Sequence, residues 1–386
     1  MTEWKEYKFS DFVEINPSVK IPKGIPVSFV EMKDLDSSVR YCESSQKKEL
    51  AGGSRFIDGD TLFARITPCM ENGKICQVRN LENGIGFGST EFHILRGKEG
   101  VSDSEFVYYL SRWDEVRDHA EHNMEGSSGR QRVPKQAFDN LYLSLPTLST
   151  QRRIAAILSS LDDKIDLLHR ENATLEQMAE TLFRQWFVVE AKEEWEEGKL
   201  GDILSVKGGT TPSTKEPSFW DGDIAWTSPR DVTTLNGLYL FETEKRITQK
   251  GLEQISSGLL PSGTLLMSSR APVGVLAFAE IPLAINQGYI AILDDKGYSK
   301  EFIYLWLKTN MDLVHSYSNG STFMEISKSA FKSLDIVIPP KEEVEIFVEK
   351  IKPYFEKIRM NEIQIRTLIQ TRDGLLPKLM SNELKI

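Results

Sequence analysis

EWKEYKFSDFVEI at positions 3–15 returns as EWEEGKLGDILSV at 194–206, with Glu3, Trp4, Glu6, Lys8 and Asp11 recurring as Glu194, Trp195, Glu197, Lys199 and Asp202. EFVYYL (105–110) returns as EFIYLW (301–306), and VPKQAFDNLYLSLP (133–146) returns as ISKSAFKSLDIVIP (326–339). The offsets of 191, 196 and 193 residues stay near half the chain, and the order of segments is kept. Self-similarity of this kind means two copies of one folding unit.

Each copy opens with strand-like text. DTLFARI (60–66) and GTLLMSS (263–269) follow turn-like residues, and LYLSLP and LDIVIP alternate before a proline stop. Glycine and asparagine mark turns at 83–88 and 319–320. Short helices are expected over 103–119 and 299–315, in α+β text without a regular βαβ rhythm.

Each copy closes with a long helical pattern. From Ile154, steps of four and three reach Leu158, Leu161, Ile165, Leu168, Asn172, Leu175, Ala179, Leu182 and Trp186. From Phe347 they reach Ile351, Tyr354, Ile358, Asn361, Ile365, Leu368, Arg372, Leu375 and Leu379. A 4-3 pattern sustained over four heptads argues a coiled-coil seam. Ser149 or Thr150 is the expected cap of the first helix, and Gly374 with Pro377 is expected to end or kink the second. The alternative is two separate helices, each packed on its own domain. A duplicated unit tends to pair its seams antiparallel, and end-to-end alignment then sets Asn172 against Asn361 and Ala179 against Tyr354. Arg372 falls opposite Leu161, with no evident reason. The expected fold is α+β: two similar domains separated by a long antiparallel two-helix coiled coil, related by a pseudo-twofold internal repeat. The boundaries are a first domain over 1–146, a central helix over 147–190, a second domain over 191–339 and a C-terminal helix over 340–386.

Composition fits a two-domain globular protein. The chain has 386 residues, 40% hydrophobic and 27% charged. Its three cysteines, Cys42, Cys69 and Cys76, form no disulfide pattern, which suits a reduced, cytoplasmic protein. The beginning MTEWKEYKF has no apolar signal core, and no stretch is long enough for a membrane span. The net charge of −10 is spread, with 19 basic and 23 acidic residues over 1–146 and 14 against 19 over 191–339. A nucleic-acid ligand would therefore have to be held by local basic patches and by charge from partner subunits. Two related domains on a 33-residue helical strut of about 50 Å fit a reader of two short half-sites separated by an unread stretch.

Several segments carry a family resemblance: LPTLSTQRRIAAILSSLDDKID (145–166), GGTTPS (208–213) with FWDGDIAWTSPRDV (219–232), LLMSSRAPVG (265–274) and GLLPKLM (374–380). In their order, spacing and duplication they resemble the specificity subunit of a type I restriction-modification system over essentially the full chain. The resemblance implies two target-recognition domains binding double-stranded DNA, and helical spacers that dock two methyltransferase subunits. S-adenosylmethionine-dependent adenine-N6 methylation, and ATP- and Mg-dependent translocation and cleavage, would then belong to the methyltransferase and restriction subunits. This chain would carry no cofactor, metal or catalytic residue. The first copy departs from the pattern, with INPSVKIPKG (15–24) in place of the GGTTPS-type turn.

The candidate DNA contacts follow from residue chemistry. GSSGRQRVPK (126–135) places Arg130, Arg132 and Lys135 in an acid-free loop, where glycine and serine let backbone approach phosphate and arginine can grip guanine with two bonds. Its counterpart NGSTFMEISK (319–328) keeps Ser321, Thr322 and Lys328, with Glu325 intruding. Arg65, Thr67, Asn72 and Lys74 follow one strand; Ser269 and Arg270 follow the matching strand. Lys207, Thr210, Thr211, Ser213 and Lys215 make a polar, basic turn, and Asn286 and Gln287 have amides suited to adenine. Each has a bland alternative: a solvated loop, a structural ion pair or a turn. Trp220 and Trp226 read as core.

Enzymatic readings are weaker. Cys69, Cys76 and His93 lack zinc-ligand spacing, GIGFG (84–88) lacks a dinucleotide-site context, and GGTTPSTK lacks phosphate-loop spacing. No Asn-Pro-Pro-aromatic run is present to hold a flipped adenine. The rivals to a DNA reader are a duplicated adaptor binding proteins or glycans, and a hydrolase built on Cys69.

Overall fold

The computed structural model describes residues 4–22, 24–320 and 324–386. Its contacts divide the chain into one unit of residues 1–167 with 365–386 and a second of 168–364.

In the first unit a five-stranded sheet runs in the order Val13–Ile15, Phe92–Gly97, Thr61–Ala64, Ile75–Val78, Tyr41–Cys42, with only the last pairing parallel. In the second unit Ser205–Lys207, Tyr289–Leu293, Leu265–Ser268, Leu276–Ala279 and Tyr239–Leu240 follow the same order, again with only the last pairing parallel. Thr61–Ala64, Ile75–Val78 and Leu265–Ser268 are buried at every position. Both faces of these strands are covered, so they do not alternate, and the polar Thr61, Gln77 and Ser268 are buried with their apolar neighbours.

Each unit adds a two-stranded ribbon, Lys5–Lys8 with Tyr142–Leu145 in one and Glu196–Lys199 with Asp335–Ile338 in the other. These outer strands do alternate, with Leu143 and Leu145 buried between exposed Tyr142 and Ser144. A further sheet has four strands in the first unit and three in the second, where a single Leu260–Leu283 bridge stands at the fourth position.

The expected short helices are each broken in two. Ser104–Arg112 is capped by Asp103, whose carboxylate accepts the N–H groups of Glu105 and Phe106, and Asp114–His122 follows after Trp113 turns to extended backbone. Ser299 caps Lys300–Thr309, and Met311–Ser316 follows.

The long helices run Leu148–Arg184 and Lys341–Met380. The first begins before Ser149, so Ser149 and Thr150 lie in its first turn and neither is its cap. A π-helical turn, Gln185–Val189, follows it directly. The second continues through Gly374 and Pro377 to Met380. Proline inside a helix costs about 3 kcal/mol; here Leu376, Leu379 and Met380, all buried in the first unit's core with Ile154 and Leu158, offset it. In the second unit Phe183 packs with Phe302 and Phe347.

Of the seam positions, Ile154, Leu158, Ile165, Leu168, Phe347, Ile351, Ile358, Asn361 and Ile365 are buried. Leu161, Asn172, Leu175, Leu182, Tyr354 and Leu368 are half-buried. Within the second unit the Asn361 side-chain amide donates to Asn172 Oδ1 at 2.8 Å and to Glu171 at 3.0 Å. The two asparagines thus meet as the antiparallel register sets them. In the first unit Arg372, without a partner in the sequence reading, donates to Asp162 at 2.6 Å.

Helix and sheet of the second unit are joined at Glu362. Its carboxylate accepts the backbone N–H groups of Leu238 at 2.7 Å and Tyr239 at 3.0 Å. A Cβ at Gly237 would stand 2.7 Å from Glu362 Oε2 and would displace the carboxylate from this position. Burial pushes this carboxyl up to about 7 against the pull of the two N–H donors, and Glu176 and Glu280 add to the rise. A pKa raised on folding favours the native state most below about pH 4.5, and that advantage is lost as pH rises through about 7. The expected result is about 3 kcal/mol less stability at pH 8 than at pH 4.5 from this group. Glu362→Gln should remove that component of the pH slope in urea unfolding; equal slopes for variant and parent would contradict the assignment.

Candidate nucleic-acid interface

In the first unit two segments meet at one end of the buried strand Thr61–Ala64. Thr67 N–H donates to the Gln131 carbonyl at 3.0 Å, and Gln131 N–H returns to Thr67 Oγ1 at 3.1 Å. Val133 N–H donates to the Arg65 carbonyl at 2.8 Å, while Glu125 and Arg132 exchange backbone bonds across the intervening loop. Gly126 and Gly129 take positive φ of 119° and 77° there, a backbone other residues rarely adopt. Arg65, Thr67, Arg130 and Arg132 are thus brought together.

Their side chains differ in availability. Arg132 grips both oxygens of Glu91, with Nε at 3.0 and 2.9 Å and Nη2 at 2.7 Å, and this holds the Glu91 carboxyl below its usual range. Arg130 is exposed, and its guanidinium has no partner among the described residues. Arg65 is half-buried, and its Nε is buried without a partner. Thr67 is buried and structural. Lys74 is drawn away, its ammonium donating to the Met32 carbonyl at 2.9 Å, whereas Asn72 and Lys135 remain exposed. His93 beside this corner is held neutral, burial pushing it down to about 4.

The second unit builds the corresponding corner. Ile326 N–H donates to the Ser269 carbonyl as Val133 does to Arg65, and Ser269 N–H donates to Gly288 as Arg65 N–H does to Glu91. These bonds align Ser269, rather than Arg270, with Arg65. Ser269 Oγ, like Arg65 Nε, is buried without a partner. Glu325 bridges Asn319 and Arg270 in the backbone as Arg132 bridges Glu125 and Ile66, so a carboxylate stands where the first unit has a guanidinium. The Arg270 side chain has no partner among the described residues. Ser321 and Thr322 lie outside the described residues.

The GGTTPS turn sits beside this corner. A Cβ at Gly209 would lie 1.7 Å from the Ile285 carbonyl oxygen, so only glycine fits. Thr211 donates to the Gln287 side chain at 2.6 Å, and Thr210 donates to the Gln254 carbonyl at 2.7 Å. Trp226, buried as expected, and the less buried Trp220 pin the turn by donating to the carbonyls of Thr210 and Ser213. The Lys328 stem runs along Gly208, and the Lys207 ammonium reaches the Ser257 carbonyl at 3.4 Å. Lys207, Thr210, Thr211, Gln287 and Lys328 are therefore neighbours. Ser213 and Lys215 are exposed further along the turn. Asn286 is a turn residue, its Oδ1 accepting Gly288 N–H at 2.8 Å. The carboxylate of Glu91, which occupies Arg132, carries no signal in the sequence, because the two are 41 residues apart.

Loops with open backbone approach, exposed guanidinium and ammonium groups and side-chain amides make a surface suited to a polyanion carrying hydrogen-bonding edges. The profile of the family described as "Type I restriction modification DNA specificity domain" matches residues 1–177 and again 192–371. The chain belongs to this family and carries its domain twice. It is 27% identical to the type I restriction enzyme HindI specificity subunit of Haemophilus influenzae over the full length of both chains. It is 35% identical to the MjaIX specificity subunit of Methanocaldococcus jannaschii over 47% of this chain and 43% of that one. A crystal structure of a type I restriction-modification S subunit from M. genitalium shares the fold, at 15% identity and a TM-score of 0.53, covering 98% of this chain and 96% of that one. No helix among the described residues is long and apolar enough to cross a membrane.

Proposed function

We propose that this chain is the DNA specificity subunit of a type I restriction-modification complex acting in the cytoplasm, and that it reads a bipartite target, one half-site per domain. The observation that carries the reading is the double match of the DNA specificity domain, each copy followed by a long helix. The two helices act as an antiparallel coiled coil in a pseudo-twofold repeat. At about 1.5 Å per residue, their 37 and 40 residues span about 55–60 Å, and that length fixes the unread gap. Two methyltransferase subunits dock on the helical spacers and bring S-adenosylmethionine. Restriction subunits join them with ATP and Mg. This chain contributes recognition and assembly, and chemistry belongs to the partners. Because the two domains differ in sequence, the two half-sites differ as well.

The test is a mobility shift of duplex DNA by this chain with its methyltransferase subunits, using targets with either half-site scrambled. Binding should fall with either scramble. Arg130→Ala should weaken binding about 5- to 150-fold, the equivalent of about 1–3 kcal/mol, and relax preference at one half-site only. Equal loss of preference at both halves would contradict independent readers, and binding indifferent to both scrambles would contradict the function.

A further inference from the structure

We infer that Arg112, Arg117 and Asn72 form a seat for a DNA backbone phosphate, on the first unit and beside the reading corner rather than in it. The inference rests on the proposed DNA-reading function.

A cleft of about 280 Å³ is lined by Ser37, Glu71, Asn72, Gly73, Arg112 and Arg117. Helix Ser104–Arg112 ends at one arginine, and the next helix, Asp114–His122, supplies the other. The Arg112 guanidinium donates to the Ser37 carbonyl at 3.2 Å and to the Tyr108 hydroxyl at 3.1 Å, both neutral groups. No carboxylate among the described residues pairs with it. Asp162, whose field reaches it, is already held by Arg372, and the Arg372 charge reaches Arg112 as well.

Arg117 is also short of partners. Its Nε is buried with none, and the one carboxylate within ion-pair reach of it among the described residues, Asp114, is 78% exposed and 3.9 Å away. A buried guanidinium N–H without an acceptor costs free energy unless an anion or water completes it. Gly73, at φ +65°, leaves the cleft open above Arg117: a Cβ there would meet Nη2 at 3.3 Å. Glu71 is the one carboxylate of the lining, and it is exposed at the rim.

Position selects the anion. Asn72 N–H donates to the Pro68 carbonyl, so the cleft and Thr67 of the reading corner belong to one continuous turn. A phosphate gripped here would flank the bases read by Arg130, adding affinity without sequence information.

The experiment measures DNA affinity against salt for the chain assembled with its methyltransferase subunits, on duplexes with intact and scrambled half-sites. For Arg117→Gln the slope of log K against log salt should fall by about 0.9 and affinity by about tenfold, equally on both duplexes. Asn72→Asp, at an exposed position that leaves packing intact, should weaken binding in the same sequence-independent way. Unchanged slope and affinity in both variants would overturn the seat. So would a loss of assembly with the methyltransferase subunits at unaltered slope, which would mark a protein carboxylate as the occupant. An unaltered complex that ignores both half-sites would instead defeat the reading beneath it.

Discussion

Arg372→Ala is expected to destabilise the first unit by about 3–5 kcal/mol, the largest effect of any single substitution considered. Arg372 and Asp162 are 3% and 2% exposed, with Nη1 to Oδ1 at 2.6 Å. The Tyr109 hydroxyl donates to the other Asp162 oxygen at 2.6 Å, and burial and the Asp162 charge push that phenol far above its usual range. Removing the arginine strands a carboxylate in the core with one neutral donor, and its desolvation is then uncompensated. Replacing both members, Asp162→Leu with Arg372→Met, should restore most of the loss, because a well-packed apolar pair avoids both desolvation penalties. Denaturant unfolding of the three variants checks this; an Arg372→Ala midpoint equal to that of the unaltered chain would show that the pair carries no structural weight.

Removing one heptad from each long helix is expected to change the target itself. Seven residues at about 1.5 Å shorten each helix by roughly 10 Å, close to three base pairs of duplex. The complex should then favour the same two half-sites with an unread gap shorter by about three pairs, and bind the original spacing at least tenfold more weakly. Selection from a library of spacer lengths gives the answer directly. An unchanged preferred gap would mean that something other than the helices measures it.

Much of this architecture was legible because duplication leaves a pattern that needs no tertiary information. The returns of EWKEYKF and VPKQAFDNLYLSLP place corresponding strands in both units, and the 4-3 count set Asn172 against Asn361, which bond at 2.8 Å. What depends on long-range contact was not legible. Asp162 lies one position from the seam, so a count of facing residues sets Arg372 against Leu161 and misses its acid. The helix passes Pro377 because Leu376, Leu379 and Met380 are buried, which local propensity does not report.

The same division holds at the candidate interface. The sequence grouped basic loop residues by type, and the fold brings Arg65 and Thr67 against Val133 and Gln131. It did not reveal that Glu91 occupies Arg132, that Met32 draws Lys74 away, or that Asn286 serves its own turn. Arg112 and Arg117 lie on two short helices, and the approach of those helices leaves no mark on the sequence.

The proposed function gives one chain two different readers at a set separation. Mapping methylated adenines across the genome of cells carrying this subunit with its partners tests that most directly. The expected result is one asymmetric motif, two short specified blocks flanking a gap of constant length with no base preference. A single continuous motif, or two blocks whose separation varies from site to site, would contradict it.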